Sequence, residues 1–127
     1  MLKNIFNHTA PQDQELKLFK SNTTPAETDV AGTYTEADFT GYSAAALSGA
    51  SWGFTEGGAG SPSISFASYA QQTFTSTAGS QNQPIYGYFV EQAISGLLLF
   101  AERFDDGPYT INNIDDAVKV TPIFTLD

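Results

Sequence analysis

The sequence predicts an all-β fold: a β-sandwich of immunoglobulin-like or jelly-roll type, with one or two short helical turns and an extended N-terminal arm. Three observations predict it. Apolar and polar residues alternate with period 2 in short runs, long runs with a 3.6-residue apolar period are absent, and Gly, Pro, Asn and Asp punctuate the chain at short intervals. With 10 Phe, 6 Tyr and 1 Trp in 127 residues, the chain can bury one hydrophobic core and is too apolar to stay unfolded. Residues 1–14 read as the arm and 15–127 as a single domain.

The arm is polar, contains Pro11 and shows neither period, so it is ordered only where something holds it; Ile5 and Phe6 are its candidate contacts. Glu15-Leu16-Lys17-Leu18-Phe19-Lys20 alternates charged and apolar residues and opens the domain as a half-buried strand. Thr24-Pro25-Ala26-Glu27 has the cap, first-turn proline and returning acid of a helical turn, and Thr35-Glu36-Ala37-Asp38 repeats the logic with Phe39 and Tyr42 to pin it. From Ser43 to Ser80 Glu56 is the only charge, and Gly57-Gly58-Ala59-Gly60-Ser61-Pro62 must be a loop. Leu47 to Phe54, Ser63 to Phe66 and Gln72 to Ser76 are short strands around it.

Ile85 to Val90 and Leu97 to Phe104 form one long hairpin, because Glu91 to Gly96 is short enough to join antiparallel neighbours. Asp105-Asp106-Gly107-Pro108 turns the chain. A last strand, Ala117 to Thr121, stops at Pro122, which places it near a sheet edge or a bulge.

That hairpin is apolar on both parities. Ile85, Phe89, Leu97 and Leu99 suit one face, whereas Tyr86, Tyr88, Val90, Leu98, Phe100 and Phe104 fall on the other. An uncovered second face of this kind exceeds the roughly 300–600 Å² apolar patch of an ordinary monomer, so something covers it. Either the arm or the Ser43–Ser80 segment lies across it, or a second subunit does; a homo-oligomer, dimer or trimer, is the expectation, with those six residues at the contact.

Charge and composition narrow the partners. Against 14 Asp and Glu stand 5 Lys and Arg, a net charge of -9, and no basic residue lies between Lys20 and Arg103. Such a surface repels phosphate backbones and anionic lipid, so neither nucleic acid nor a membrane is expected as a partner. Cysteine is absent, which removes disulfides, thiolate nucleophiles and sulfur-dependent zinc sites. The opening residues lack the apolar core of a secretory signal, and the longest apolar stretch, Leu97 to Ala101, is far short of a membrane helix.

No catalytic constellation is legible. His8, the sole histidine, lies in the arm, where nothing holds it as a triad would. Glu56, Glu91 and Glu102 offer carboxylates without a spacing that pairs them. Asp105-Asp106-Gly107 and Asp115-Asp116 could hold Ca²⁺ but are better explained as turns, and the glycine run lacks the lysine of a phosphate cradle. Trp52, Tyr69 and the other tyrosines could stack on sugars, although core packing is the commoner use. Neither a catalytic residue, a cofactor nor a metal is expected.

Two segments carry a resemblance. Leu16-Lys17-Leu18-Phe19-Lys20-Ser21-Asn22-Thr23-Thr24-Pro25-Ala26-Glu27-Thr28-Asp29 and Tyr34-Thr35-Glu36-Ala37-Asp38-Phe39-Thr40-Gly41-Tyr42 resemble the opening of a group of small tailed-bacteriophage virion structural proteins. In that group the opening precedes a low-complexity middle and a Tyr-rich hairpin. The resemblance implies a capsid cement or decoration protein, made in the host cytoplasm and fixed to the capsid exterior, where it bridges major capsid proteins. A tail or baseplate component falls within the same resemblance, and a carbohydrate-binding β-domain is the alternative from outside it.

Overall fold

The computed structural model describes residues 13–48, 51, 53–55 and 65–126. Among the described residues eleven strands build one four-stranded sheet and three small ones, all paired antiparallel, an all-β fold. They are β1 (Gln14–Phe19), β2 (Ala45–Leu47), β3 (Gly53–Thr55), β4 (Ser65–Ser68), β5 (Gln72–Thr75), β6 (Gln83–Ile85), β7 (Gly87–Gln92), β8 (Leu98–Arg103), β9 (Tyr109–Ile111), β10 (Ala117–Val120) and β11 (Ile123–Leu126). The large sheet runs β2-β1-β7-β8; the others are β10-β5, β11-β4-β3 and β6-β9.

The alternating opening segment becomes β1, at the middle of the large sheet beside β7. Leu16 and Leu18 lie opposite Val90 and Tyr88, while Lys17 lies opposite Phe89 and Phe19 opposite Gly87. Because successive side chains point to opposite faces, this register sorts the sheet into two. One face carries Leu16, Leu18, Tyr88 and Val90 into the main core, which adds Phe39, Leu47, Phe74, Ile85, Ile111, Val118 and Val120. The other carries Phe19 and Phe89 into a smaller cluster with Tyr34. Gly87 is the point of closest approach: a Cβ there would sit 2.2 Å from the Glu102 carbonyl oxygen and 2.5 Å from the Phe19 ring, so no side chain fits.

The hairpin forms as β7 and β8, but its parity differs from the expected one. Regular structure breaks at Tyr86, which separates β6 from β7, and a bulge shifts the register between Val90 and Glu91. Each irregularity moves residues from one face to the other, as a one-residue slip must. Tyr88 and Val90 therefore enter the main core, 4% and 0% exposed, and Phe100, Phe104 and Leu99 pack against it. Tyr86 and Leu98 join Phe89 on the second face. The six residues expected to form one face are split between two.

Among the described residues both faces meet other parts of the chain, and the second is covered by the loop carrying Tyr34. Tyr34 stacks on Phe89, with ring centroids 5.3 Å apart, and tilts against Phe19 at 4.9 Å. The loop that delivers it, through the short 3-10 turn Ala31–Thr33, lies over the sheet. Neither expected helical turn forms. Ala26 to Asp29 closes a tight turn in which Asp29 accepts the Ala26 N–H at 2.9 Å, so the acid that fixes it is Asp29 and not Glu27. Thr35 to Asp38 runs extended along β1, where Glu36 bridges Phe19 and the Ala37 N–H donates to the Leu18 carbonyl. Pairing with an open strand outweighs a local capping preference.

Smaller differences follow the same logic. Gln14 is already in β1 and fully buried, one residue before the expected border. The Leu47–Phe54 run yields two separate strands, β2 and β3. Strands β9 and β11, for which no expectation was drawn, pair with β6 and β4. Pro122 is buried between β10 and β11, where its carbonyl accepts the Tyr69 N–H.

Candidate interaction surface

Polar side chains cluster where the extended 35–42 segment meets the large sheet. Lys17 Nζ reaches Glu91 Oε1 at 2.5 Å and Glu36 Oε1 at 3.8 Å. The Tyr42 hydroxyl donates to Glu36 Oε2 at 2.8 Å and accepts the Leu18 N–H at 3.2 Å. Burial pulls the Lys17 ammonium down, but the bond to Glu91 and the charges of Glu36, Glu91 and Glu15 outweigh it and hold it above its ordinary value. Burial, then the carboxylate partner, pushes the hydroxyls of Tyr34, Tyr42 and Tyr88 well above the usual tyrosine range. Lys17 thus stays charged and these tyrosines stay neutral donors.

The acids singled out from sequence do not converge. Glu91 shares the second face with Lys17, whereas Glu102 lies opposite Tyr88 on the main-core face and accepts its hydroxyl at 2.8 Å. The sheet itself separates the two carboxylates. Asp116 Oδ2 accepts the N–H groups of Asn112 and Asn113 at 3.0 and 2.7 Å, and Asp106 accepts the Tyr109 hydroxyl. Among the described residues no group of three or more His, Cys, Asp or Glu could hold a metal ion. Tyr69 is half-buried, and its hydroxyl accepts the Ser48 N–H at 3.0 Å. Ile5, Phe6, His8, Trp52, Glu56 and the glycine run at 57–60 lie outside the described residues.

Among the described residues β8 is an edge strand of the large sheet. In the ladder between β7 and β8, the Phe104 N–H donates to the Tyr86 carbonyl, and the Gln92 N–H to the Leu97 carbonyl. Past the bulge, Phe100, Glu102 and Phe104 therefore aim their backbone at β7, and Ala101 and Arg103 aim theirs outward. Beside this edge a cleft of about 420 Å³ runs between Leu98–Ala101 and the turn carrying Pro25, Ala26, Glu27 and Asp29. At the end of β8 the Arg103 guanidinium lies 5.1 Å from the Tyr86 ring centre and donates an N–H to the Thr23 carbonyl at 3.2 Å. Leu98 and Phe100, two of the six residues expected at an interface, line the cleft. Periodicity could not find it, because an edge strand is a property of strand order.

At the tip of the same hairpin Ile94 is 92% and Leu97 63% exposed. Asp13 lies against this tip, its carbonyl accepting the Ala93 N–H at 3.0 Å. No family model, curated protein or solved structure matches the chain.

Proposed function

We propose that this protein is a non-enzymatic component of a tailed-phage virion, a capsid cement or decoration protein that binds major capsid proteins on the outside of the shell. We read its four sheets as the layers of a β-sandwich. One observation carries the proposal: the residues that bear the resemblance are used to hold the fold. Asp29 closes the 26–29 turn and accepts the Tyr34 hydroxyl at 2.7 Å; Glu36 anchors Tyr42; Phe39 is buried. Gly41, at φ +96°, packs so closely that a Cβ would lie 2.7 Å from the Thr75 carbonyl oxygen. A shared motif in which Asp29, Glu36, Phe39 and Gly41 serve the architecture supports a shared scaffold role, with specificity left to the surface.

The expected homo-oligomer loses its original support, since Tyr88 and Val90 are inside the chain's own core and the second face has its own cover. A contact with a lattice cannot use the buried Tyr88 and Val90, and the hairpin tip offers the exposed Ile94 and Leu97 for it. The test is binding of the purified chain to expanded empty shells, followed by shell melting. A rise in melting temperature that saturates with added protein is expected, because a ligand of the assembled state stabilises it by mass action. Absence of binding to shells, with the protein found in tail fractions of intact particles, replaces the capsid role with the tail role.

A further inference from the structure

A second cleft, of about 440 Å³, lies between the end of β8 with the turn after it and the connection from β10 to β11. Its size falls within the roughly 300–1,000 Å³ of small-molecule sites. We propose that it binds a neutral saccharide ring, held by Glu102, Asp106 and Lys119 over the apolar surface of Phe104 and Ile123. The inference is independent of the virion reading and uses neither Trp52 nor Tyr69.

One wall is built around a single ring. Phe104 packs against Tyr88 at 6.2 Å and Tyr109 at 5.1 Å between ring centres, and each tyrosine holds one carboxylate. The Tyr88 hydroxyl donates to Glu102 Oε2 at 2.8 Å, and the Tyr109 hydroxyl donates to Asp106 Oδ1. A carboxylate has about four lone-pair sites, so one tyrosine fixes its orientation and leaves acceptors for a ligand. The opposite wall follows from the alternation of β10. Val118 and Val120 are buried, which turns Lys119 outward, and Lys119, Thr121 and the 46% exposed Ile123 line the cleft. Among the described residues Lys119 forms no ion pair, although Glu102, Asp105 and Asp106 line the same cleft. Donor and acceptors stand too far apart to satisfy each other, and a molecule between them can meet both. Arg103 is committed elsewhere, to the Thr23 carbonyl and the Tyr86 ring.

That pairing selects the ligand. Three carboxylates repel an anion, an ammonium would leave Lys119 without an acceptor, and a wholly apolar molecule would leave the polar walls unpaired. Among the described residues no three acids are placed to hold a metal ion. A sugar hydroxyl both donates to a carboxylate and accepts from an ammonium, and the C–H face of the ring suits Phe104 and Ile123.

NMR titration of the full, isotope-labelled chain with four neutral probes, the methyl glycosides of glucose, galactose, N-acetylglucosamine and rhamnose, tests this. At least one should shift the amide signals of Phe104, Lys119 and Thr121 along a saturating curve at millimolar sugar. Lys119→Met keeps the stem and removes the donor, so it should weaken that binding about tenfold or more with no change in melting temperature. Glu102→Gln keeps an acceptor for Tyr88 and should weaken it less. No saturating shift with any of the four, shifts centred elsewhere, or a Lys119→Met chain that binds as well as the parent overturns the proposal. Glycerol at the same concentration is the control: equal shifts would mean general solvation of the cleft and would overturn it as well.

Discussion

The two faces of the large sheet are buried by different means. On one, Leu16, Leu18, Tyr88 and Val90 meet side chains from strands of other sheets, and the core is held mainly by packing. On the other, Phe19 and Phe89 lie under Tyr34, which sits on an irregular loop held by side-chain hydrogen bonds: Asp29 to Tyr34 and to the Ala26 N–H, and Thr33 to the Val30 N–H. An apolar face need not imply a partner. A short loop with one aromatic ring and one well-placed carboxylate covers it, because a ring buries about 150–250 Å².

The sharpest way to break the comparison is to cut one large side chain from each face. Leu18→Ala should cost about 4 kcal/mol, since the strands around it collapse little, whereas Phe89→Ala should cost about 3 kcal/mol, the loop above it being able to settle into the gap. Urea unfolding measures both; a larger loss on the loop-covered face would reverse the ranking. Next comes the ion pair at the sheet border. Lys17→Met strands Glu91, which is buried, and should cost about 2 kcal/mol after allowance for partial exposure, while adding Glu91→Leu should restore most of it. A double-mutant cycle with no coupling would mean the pair is decorative.

Tyr34→Phe keeps the ring and removes the bond to Asp29, so about 1 kcal/mol is expected, with the loop and not the core showing faster amide exchange. The smallest effect is electrostatic. Asp38, bonded by Lys20 and Gln83, and Asp116, bonded by the Asn113 and Asn112 N–H groups, are both held below the usual carboxylate range. A depressed folded value means their contribution is complete above the unfolded value near 3.9 and fades as pH falls through the folded one. Melting temperature should therefore drop below about pH 4, and Asp38→Asn/Asp116→Asn should flatten that drop.

Much of this was legible in the residues. The alternation of 15–20 gave β1, the β-prone runs gave β5 and β10, and the Asp105–Pro108 cluster gave the turn between β8 and β9. The helical turns at 24–27 and 35–38 failed because capping patterns are local, and the open side of β1 offered the second segment better hydrogen bonds. The Lys17-Glu36-Glu91-Tyr42 cluster joins residues far apart in sequence, and no spacing rule encodes it.

The sequence by itself determined the class of fold, the strands with clear alternation, the acidic surface and the apolar character of the 85–104 ribbon, all of which depend on near neighbours along the chain. Only the tertiary structure decided which face each ribbon residue takes, what covers the second face and which strands lie at sheet edges. A break at Tyr86 and one bulge after Val90 reassign side chains between faces, and cover and edge depend on strand order. Those are long-range choices, made by packing after the local preferences have been spent.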